Sequence, residues 1–287
     1  MSDTHNDYQL LDSGNFRKLE QLGPFRLDRP CPQAIWRPTQ SPSLWQTADA
    51  VYHRSSSGGG SWEYRRNLPE EWTLSYYGLT LKINMTDFGH LGIFPEQGPN
   101  WTWIQEQIQR GAPQINVLNT FAYTGGSSLA AAAAAANVVH LDASKGIVGW
   151  ARENAEKSKL ADKPIRWIVD DVVKFVRREI RRGNRYEGII LDPPSFGRGP
   201  KGEVWKFEND LPALLEDCRQ LLPAQPRFVL LSAHSPGFTP LALENLLSDM
   251  MRGYDGEVSS MEMVVPEAQT NRYLPSGTMA RWAGRRR

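Results

Sequence analysis

The sequence predicts an α/β protein with a doubly wound, mostly parallel sheet, preceded by a small β-rich domain. From Gln114 onward, five short apolar runs are each followed by a segment with helical periodicity, as in a parallel sheet covered by helices on both faces. Before residue 98, runs rich in aromatic and β-branched residues indicate short strands. A chain of 287 residues is long enough for both parts. We expect a β-rich domain over residues 1–98 and a Rossmann-like domain over residues 99–287.

The amino-terminal domain is expected to begin with an irregular leader, because the first thirty residues are polar and weakly patterned. Four prolines between residues 30 and 42 exclude a long helix there. Strands are predicted for SWEYRR, EWTLSYYG and LTLKINM. Between the last two, Tyr77-Gly78 fits a tight hairpin turn, since glycine adopts a positive φ without steric cost.

The larger domain is predicted from five strand–helix units. The strands are INVLNTF, VVHLDA, IRWIVDD, GIILDPP and RFVLLSA, and the helices that follow them cover residues 127–136, 145–158, 172–182, 211–222 and 240–252. Right-handed crossovers arrange such units as a doubly wound sheet. Ligands then bind beyond the carboxyl ends of the strands, near the point where the strand order reverses. The candidate functional residues are therefore those that end each apolar run.

Composition limits the classes of partner and compartment. With 33 Lys and Arg against 32 Asp and Glu, the net charge of +1 attracts neither nucleic acid nor acidic lipid through the whole-molecule field, so any such contact must use local patches. The two cysteines lie far apart without metal-type spacing, which favours a reducing compartment, the cytoplasm, and argues against a zinc site. Neither a membrane span nor a signal peptide is recognised. We expect a soluble protein without a metal, and the oligomeric state stays open.

The first strand ends in NTFAYTGGSS, ahead of an alanine-rich helix. Backbone N–H groups at such a helix N-terminus can meet an anion, although an ordinary strand–helix connection has the same appearance. Asp142 closes the next strand about 20 residues later, where a carboxylate can accept hydrogen bonds from a ribose diol. Because the G-x-G-x-x-G pattern is absent, the loop fits an amino-acid moiety better than a pyrophosphate.

Two further strand ends carry carboxylates. Asp170-Asp171 ends the third strand, where a carboxylate can accept from an exocyclic adenine amine; Asp171 is favoured, and its alternative role is that of a helix N-cap. The fourth strand ends in Asp192-Pro193-Pro194-Ser195. Two consecutive prolines hold the chain extended and remove two backbone donors. This stiffness suits a catalytic site, with a structural turn as the alternative.

The runs NTFAYTGGSSLAAA, VDDVVKFV and ILDPPSFGRG, together with Asp142, resemble class I S-adenosylmethionine-dependent methyltransferases. In particular, they resemble the bacterial family that includes large-subunit ribosomal RNA cytosine-C5 methyltransferases. The resemblance covers roughly residues 88–233 and implies S-adenosyl-L-methionine as cofactor and RNA, ribosomal RNA above all, as partner. The segment FGHLGIFPEQ resembles the stretch that closes over the cofactor in that family, which adds Phe94 and Gln97.

The resemblance assigns the methionine part of the cofactor to residues 123–125, the ribose to Asp142, the adenine to Asp171, and the methyl acceptor to residues 192–195. The complete predicted cofactor set is Phe94, Gln97, Phe121, Tyr123, Thr124, Gly125, Asp142, Ala143, Ser144, Asp170, Asp171 and Asp192. The predicted catalytic set is Asp192, Pro193, Pro194 and Ser195.

The sequence departs from that family at its nucleophile. Cytosine-C5 transfer needs a thiolate, and the places where the family has cysteine hold Ser195 and Ala233. Cys218 lies in a helical pattern and is interpreted as a packed residue. Direct transfer to nitrogen or oxygen needs only an in-line approach and a proton acceptor, for which Asp192 is the candidate. His234 is a second candidate, with an ordinary loop histidine as the alternative.

A base in folded RNA must be splayed out and stacked before its edge reaches a methyl donor. The predicted substrate-binding residues are Phe196, Arg198, Lys201, Trp205 and His234, and Lys206 lies in the same glycine-rich loop. The alternative is a solvated connection in which Trp205 packs on the sheet edge. Two further arginine groups are either phosphate contacts or solvated surface: Arg177, Arg178, Arg181, Arg182 and Arg185, and Arg281, Arg285, Arg286 and Arg287.

Three functions remain open at this point. They are methylation of an RNA base, methylation of a small molecule or protein, and nonenzymatic RNA binding by a retained fold. The resemblance favours the first, the near-neutral charge fits the second, and the intact cofactor residues argue against the third.

Overall fold

The computed structural model describes residues 6–55, 59–110, 114–198, 202, 204–235 and 237–285. The chain groups into two compact units. The first comprises Met1–Gly98 and Val264–Ser276, and the second comprises Pro99–Met263 and Gly277–Arg287. Each unit is described separately.

The first unit contains a five-stranded sheet and a separate hairpin. The sheet has the order β1 (Tyr8–Gly14), β2 (Arg17–Leu22), β3 (Phe25–Pro30), β4 (Ala50–Arg54), β5 (Gly60–Tyr64), with the short helix α1 (Pro42–Trp45) between β3 and β4. The hairpin pairs β6 (Glu71–Tyr76) with β7 (Leu79–Asn84). Tyr77 and Gly78 have φ values of 48° and 76°, as a two-residue hairpin turn with two positive φ angles requires. The predicted turn is confirmed.

The expectation of an irregular leader is wrong, because β1 to β3 form an antiparallel meander, with a bulge in β1 between Leu10 and Asp12. Polar side chains that point inward obscure the alternation. Glu20 is fully buried and accepts hydrogen bonds from the guanidinium of Arg29 at 2.7 Å and 2.9 Å. Asp12 is also fully buried, and its carboxylate accepts from the indole N–H of Trp45 at 2.8 Å. Buried charged groups are tolerated in a core when they have hydrogen-bond partners. In the sequence alone, the same residues look like surface residues.

The second unit begins with α2 (Gly98–Gln109), which the sequence pattern did not reveal. The five predicted strand–helix units follow, and each is observed within a few residues of its expected position. They are β8 (Asn116–Thr120) with α3 (Gly126–Ala133), β9 (Asn137–Asp142) with α4 (Lys145–Lys157), β10 (Ile165–Val169) with α5 (Val172–Arg182), β11 (Gly188–Leu191) with α6 (Phe207–Arg219), and β14 (Phe228–Ala233) with α7 (Pro240–Met250). A small antiparallel hairpin of β12 (Phe196–Arg198) and β13 (Val204–Lys206) lies between β11 and α6.

The main sheet has the order β10-β9-β8-β11-β14-β16-β15. Its last two strands, β15 (Gly256–Pro266) and β16 (Tyr273–Gly284), were not predicted, and β16 runs antiparallel to β14. The four pairs that join β10, β9, β8, β11 and β14 are parallel. The predicted doubly wound, mostly parallel α/β fold is confirmed. The strand order reverses between β8 and β11, so the carboxyl ends of these two strands form the expected ligand crevice.

Each face of the sheet has its own apolar layer, because successive side chains of a strand point to opposite faces. Leu118, Ile189 and Leu231 pack with α5, α6 and α7, whereas Val117, Ile190 and Leu230 pack with α2 and α3. The two layers fix the strands and therefore the positions of the residues that follow them. Within the described ranges, no helix is long and apolar enough to cross a membrane.

Candidate active site

The loop after β8, residues 121–125 and hereafter the β8 loop, has an unusual backbone. Phe121, Tyr123 and Gly125 all lie in the left-handed region, with φ values of 52°, 48° and 93°. For non-glycine residues such a conformation costs about 1 to 3 kcal/mol and persists where the surroundings impose it. Gly125 is also packed closely, since a Cβ there would lie 3.1 Å from the Cβ of Ala151. The backbone N–H groups of Ala122, Tyr123 and Gly125 donate within the protein, to the Leu141 carbonyl, the Asp142 carboxylate and the Ala122 carbonyl. The protein itself therefore holds the loop in this shape.

Asp142, at the end of β9, holds this loop through backbone hydrogen bonds. Its Oδ2 accepts from the N–H of Tyr123 at 3.0 Å and its Oδ1 accepts from the N–H of Ser144 at 2.9 Å. Burial raises the pKa of the Asp142 carboxyl, and the hydrogen bonds from Ser144, Tyr123 and Ala143 oppose that shift. Ser144 in turn caps α4 by accepting from the N–H of Ile147. The carboxylate thus lies directly between the β8 loop and the start of α4.

A buried polar chain below the β8 loop was missed in the sequence. Asn119 Nδ2 donates to Ser128 Oγ at 2.8 Å, and that oxygen lies 3.0 Å from Nδ1 of His140. All three side chains are buried, and burial lowers the pKa of His140 to about 3. The histidine is therefore neutral near pH 7 and acts as a hydrogen-bonding group. Asn154 Nδ2 adds a bond to the carbonyl of Thr124 at 2.9 Å.

The two carboxylates after β10 have different partners. Asp171 caps α5, since its Oδ1 accepts from the N–H of Lys174 at 2.9 Å. Asp170 Oδ1 accepts from the N–H of Asp171 at 2.9 Å, and Asp170 Oδ2 accepts from the guanidinium of Arg178 at 2.6 Å. The N-cap role considered for Asp171 is thus observed. Its predicted contact with the cofactor stays a prediction.

The loop after β11, residues 192–195 and hereafter the β11 loop, carries the candidate proton acceptor. Ser232 Oγ, on the neighbouring strand β14, donates to Asp192 Oδ1 at 2.7 Å. His234 Nδ1 lies 3.4 Å from the same oxygen. The side chains of Asp192 and His234 are 26% and 31% exposed, so both remain accessible to a substrate. The sequence indicated Asp192 and His234, whereas Ser232 was missed.

The β12–β13 hairpin returns to the β11 loop. The indole N–H of Trp205 donates to the carbonyl of Pro194 at 2.8 Å, and the N–H of Phe207 donates to the carbonyl of Ser195 at 3.1 Å. The Trp205 ring also packs on Phe121, with ring centroids 5.1 Å apart. Phe196, on β12, is 52% exposed.

The remaining predicted residues are more dispersed. Phe94 and Gln97 belong to the first unit, at the start and end of a 3₁₀ turn (Pro95–Gln97). Arg198 lies on β12 and Lys206 on β13. Lys201, Arg286 and Arg287 lie outside the described residues. Cys218 is fully buried on α6 and burial raises its thiol pKa, which confirms its interpretation as a packed residue.

Several arginines of the two groups predicted as phosphate contacts or solvated surface form contacts within the protein. Arg177 and Arg182 form ion pairs with Asp217 at 2.9 Å and Glu179 at 3.0 Å. Arg281 lies over the ring of Trp103, with its guanidinium carbon 4.9 Å from the centroid, and burial lowers its pKa to about 10. Among the described residues, no cluster of three or more His, Cys, Asp or Glu side chains could hold a metal ion.

The donors and acceptors around the β8 loop fit S-adenosylmethionine. The loop leads into the N-terminus of α3, and a helix N-terminus suits a carboxylate. Carboxylates also follow β9 and β10, the next two strands of the sheet on that side, where hydroxyl and amine groups need acceptors. Adding a Cβ at Gly125 would crowd α4 below the loop. The site therefore provides polar groups for both the methionine end and the adenosine end of S-adenosylmethionine.

Comparison with known proteins gives one family. A family model described as S-adenosylmethionine-dependent methyltransferase matches residues 36–230. The crystal structure of the SAM-dependent methyltransferase from Agrobacterium tumefaciens is 41% identical, with a TM-score of 0.93 over 99% of this chain and 92% of that one. The structure of a tRNA m1G37 methyltransferase from M. jannaschii, 13% identical with a TM-score of 0.57 over 98% of this chain and 75% of that one, shares the fold alone.

Curated relatives match over part of their length. The ribosomal RNA large subunit methyltransferase K/L of Hahella chejuensis is 34% identical over 155 residues, which are 53% of this chain and 20% of that protein. The protein of the same name from Pseudoalteromonas atlantica is 33% identical over 147 residues, 50% of this chain and 20% of that protein. The chain thus spans about a fifth of the length of these relatives. The family model and the Agrobacterium structure together show that the chain belongs to the S-adenosylmethionine-dependent methyltransferases.

Proposed function

We propose that this methyltransferase transfers a methyl group to a nitrogen atom of a base in structured RNA, with ribosomal RNA as the favoured substrate. The names of the curated relatives support the class of substrate. The observation that carries the choice of nitrogen is the carboxylate of Asp192, held by Ser232 and lying beside His234 at the crevice.

In the proposed reaction Asp192 acts on the acceptor. S-adenosylmethionine supplies an electrophilic methyl group on its sulfonium when bound. Asp192 accepts a hydrogen bond from the N–H of the base and so orients the nitrogen lone pair towards the methyl group. With the cofactor bound, the nitrogen would take the methyl group from the sulfonium, whose sulfur would keep the electron pair of the broken bond. The N–H proton would leave towards the Asp192 carboxylate, and His234 would relay it to solvent. Ser232 keeps the carboxylate in place during transfer.

Residues at one end of the crevice are assigned to the cofactor, and residues at the other end are assigned to the substrate. We assign the methionine part of the cofactor to the β8 loop, the ribose to Asp142, and the adenine to the Asp170-Asp171 pair. On the substrate side, the exposed ring of Phe196 supplies a stacking surface for a splayed base. Arg198 and Lys201 supply positive charge for its phosphate groups.

Neither cysteine of the chain is suited to covalent attack on cytosine C6. The two cysteines, Cys31 and Cys218, are free and buried, and burial raises the thiol pKa of both. A thiol of raised pKa carries little thiolate near neutral pH. The product expected is a base methylated on nitrogen and not 5-methylcytosine. Free thiols also accord with a place in the reducing cytoplasm.

The test is transfer of labelled methyl from S-adenosylmethionine to total RNA from a strain that lacks this gene. Label that nuclease removes and protease leaves, followed by an N-methylated nucleoside on digestion, is the expected result. A labelled 5-methylcytosine contradicts the assigned chemistry. Label in protein or in a small molecule, without label in RNA, overturns the assigned substrate.

A further inference from the structure

Trp205 has contacts with both loops of the crevice. Its indole N–H donates to the carbonyl of Pro194 in the β11 loop, and its ring packs on Phe121 in the β8 loop. We propose that Trp205 is a positioning residue, which fixes the proton-acceptor loop relative to the cofactor loop. The substrate contact predicted for Trp205 from the sequence stays a prediction.

The β11 loop needs such a support from elsewhere in the chain. Its two prolines have no backbone N–H and cannot donate hydrogen bonds that would hold the loop. The carbonyls of Pro194 and Ser195 instead accept from Trp205 and Phe207, two positions apart on one returning segment. That segment is itself anchored, because Phe207 is the first residue of α6 and is buried in the core, with its ring centroid 4.5 Å from that of Phe238.

The second contact reaches the strained backbone of the β8 loop. Phe121 has a φ of 52° and begins the loop. Its ring and that of Trp205 pack together against the core cluster that contains Leu191 and Phe207. An aromatic pair at this point restrains Phe121 in its left-handed conformation, since a rotation of the ring about its backbone would lose the contact. Trp205 therefore restrains the end of β8 and the end of β11 together.

Two substitutions of Trp205 distinguish the effects of its two contacts. Trp205→Phe keeps a ring next to Phe121 and removes the N–H donor to Pro194, whereas Trp205→Ala removes both. Loss of the donor alone should disturb the β11 loop and lower kcat about tenfold to a hundredfold, with the Kd for S-adenosylmethionine unchanged. Loss of the ring should in addition raise that Kd about threefold to tenfold.

A matched control exists in the first unit. The indole N–H of Trp72 donates to the carbonyl of Leu22 at 3.1 Å, and its ring lies 5.0 Å from that of Phe25. Trp72→Phe therefore removes the same kind of hydrogen bond and keeps the same kind of ring pair. Purified full-length wild type, W205F, W205A and W72F would be compared by calorimetric titration with S-adenosylmethionine, by single-turnover methyl transfer and by thermal unfolding.

The expected result is a lower transfer rate in W205F than in W72F at equal cofactor affinity, and weaker cofactor binding in W205A alone. A transfer rate in W205F equal to that in W72F overturns the link to the β11 loop. Equal Kd values for W205F and W205A overturn the link to the β8 loop. The measurement of the transfer rate rests on the proposed function, and it uses the acceptor that the wild-type protein labels. If wild type labels none, the proposed function fails, and the two Kd values alone decide the proposal.

Discussion

The two sides of the crevice are built from different kinds of contact. At the ends of β9 and β10, two carboxylates are held by backbone groups: Asp142 accepts from three backbone N–H groups, and Asp171 accepts from one. At the ends of β11 and β14, Asp192 is held by a side-chain hydroxyl and lies beside an imidazole.

This difference matches two separate tasks. A site made by the backbone keeps its shape when surface side chains change, which suits a cofactor shared by a whole family. A site made by side chains can be altered by single substitutions, which suits the recognition of one particular methyl acceptor. The same division predicts that substitutions on the β8 side affect cofactor affinity and stability, and that those on the β11 side affect the rate of transfer.

The largest effect is expected for Asp192→Asn. The amide keeps an oxygen for Ser232 but lacks the charge that draws the acceptor proton, so kcat should fall about 10²-fold to 10⁴-fold. The Kd for S-adenosylmethionine should stay within about twofold, since the cofactor side is held by other groups. Calorimetry and labelled transfer measure the two quantities. A normal kcat would remove Asp192 from the reaction.

The next effect concerns His140, on the β8 side. Burial lowers its pKa from 6.5 to about 3, so protonation favours the unfolded chain. The stability contributed by the neutral form is complete above pH 6.5 and is lost as the pH falls towards 3. Between pH 6.5 and 5, wild type should lose about 2 kcal/mol more than His140→Gln in the free energy of unfolding.

Denaturant titrations at the two pH values measure this difference. The exposed His53, which pairs with Glu63 at 2.8 Å, provides the control. His53→Gln should keep the acid sensitivity of wild type. An equal loss in wild type and in His140→Gln would mean that other groups, not His140, dominate the acid response.

A smaller effect is expected for Gly125→Ala. The φ of 93° costs an alanine about 1 to 2 kcal/mol, and the added Cβ lies 3.1 Å from Ala151. The loop should relax away from its present shape and raise the Kd for S-adenosylmethionine about tenfold. Gly146→Ala is the matched control, because a Cβ there meets no atom within 4 Å. Equal affinities in the two variants would show that the loop shape is not required.

The strand ends were predictable because each apolar run stops at a polar residue. This rule located Asp142, Asp192 and His234 without a structure. The partners of these residues were not predictable, since Ser232 approaches Asp192 only through the pairing of β11 with β14. The chain of Asn119, Ser128 and His140 depends in the same way on the order of the strands. Polar residues inside apolar strands, such as Asn119 and His140, are the sequence signal that would have indicated this hydrogen-bonded chain.

The missed strands have a different cause. In β1 and β2 buried, paired charges interrupt the apolar alternation. In β15 more exposed and less exposed residues alternate from Glu257 to Met261, but the exposed pair Met261 and Glu262 breaks the period of two. This mixed pattern fits a strand at the edge of a sheet, and it differs from the continuous apolar runs of buried parallel strands.

The smallest effect is expected from a pair of buried serines, one on each side of the crevice. Ser232→Ala removes the hydroxyl that donates to Asp192, and the loss of one such bond should lower kcat about fivefold with the Kd for S-adenosylmethionine unchanged. Ser128→Ala removes the oxygen that accepts from Asn119 on the β8 side, and should weaken cofactor binding and thermal stability slightly while kcat at saturating cofactor stays normal. If both variants lower kcat and leave the Kd unchanged, the two sides do not divide their tasks, and the backbone contacts of Asp142 then serve the transfer step as well as binding.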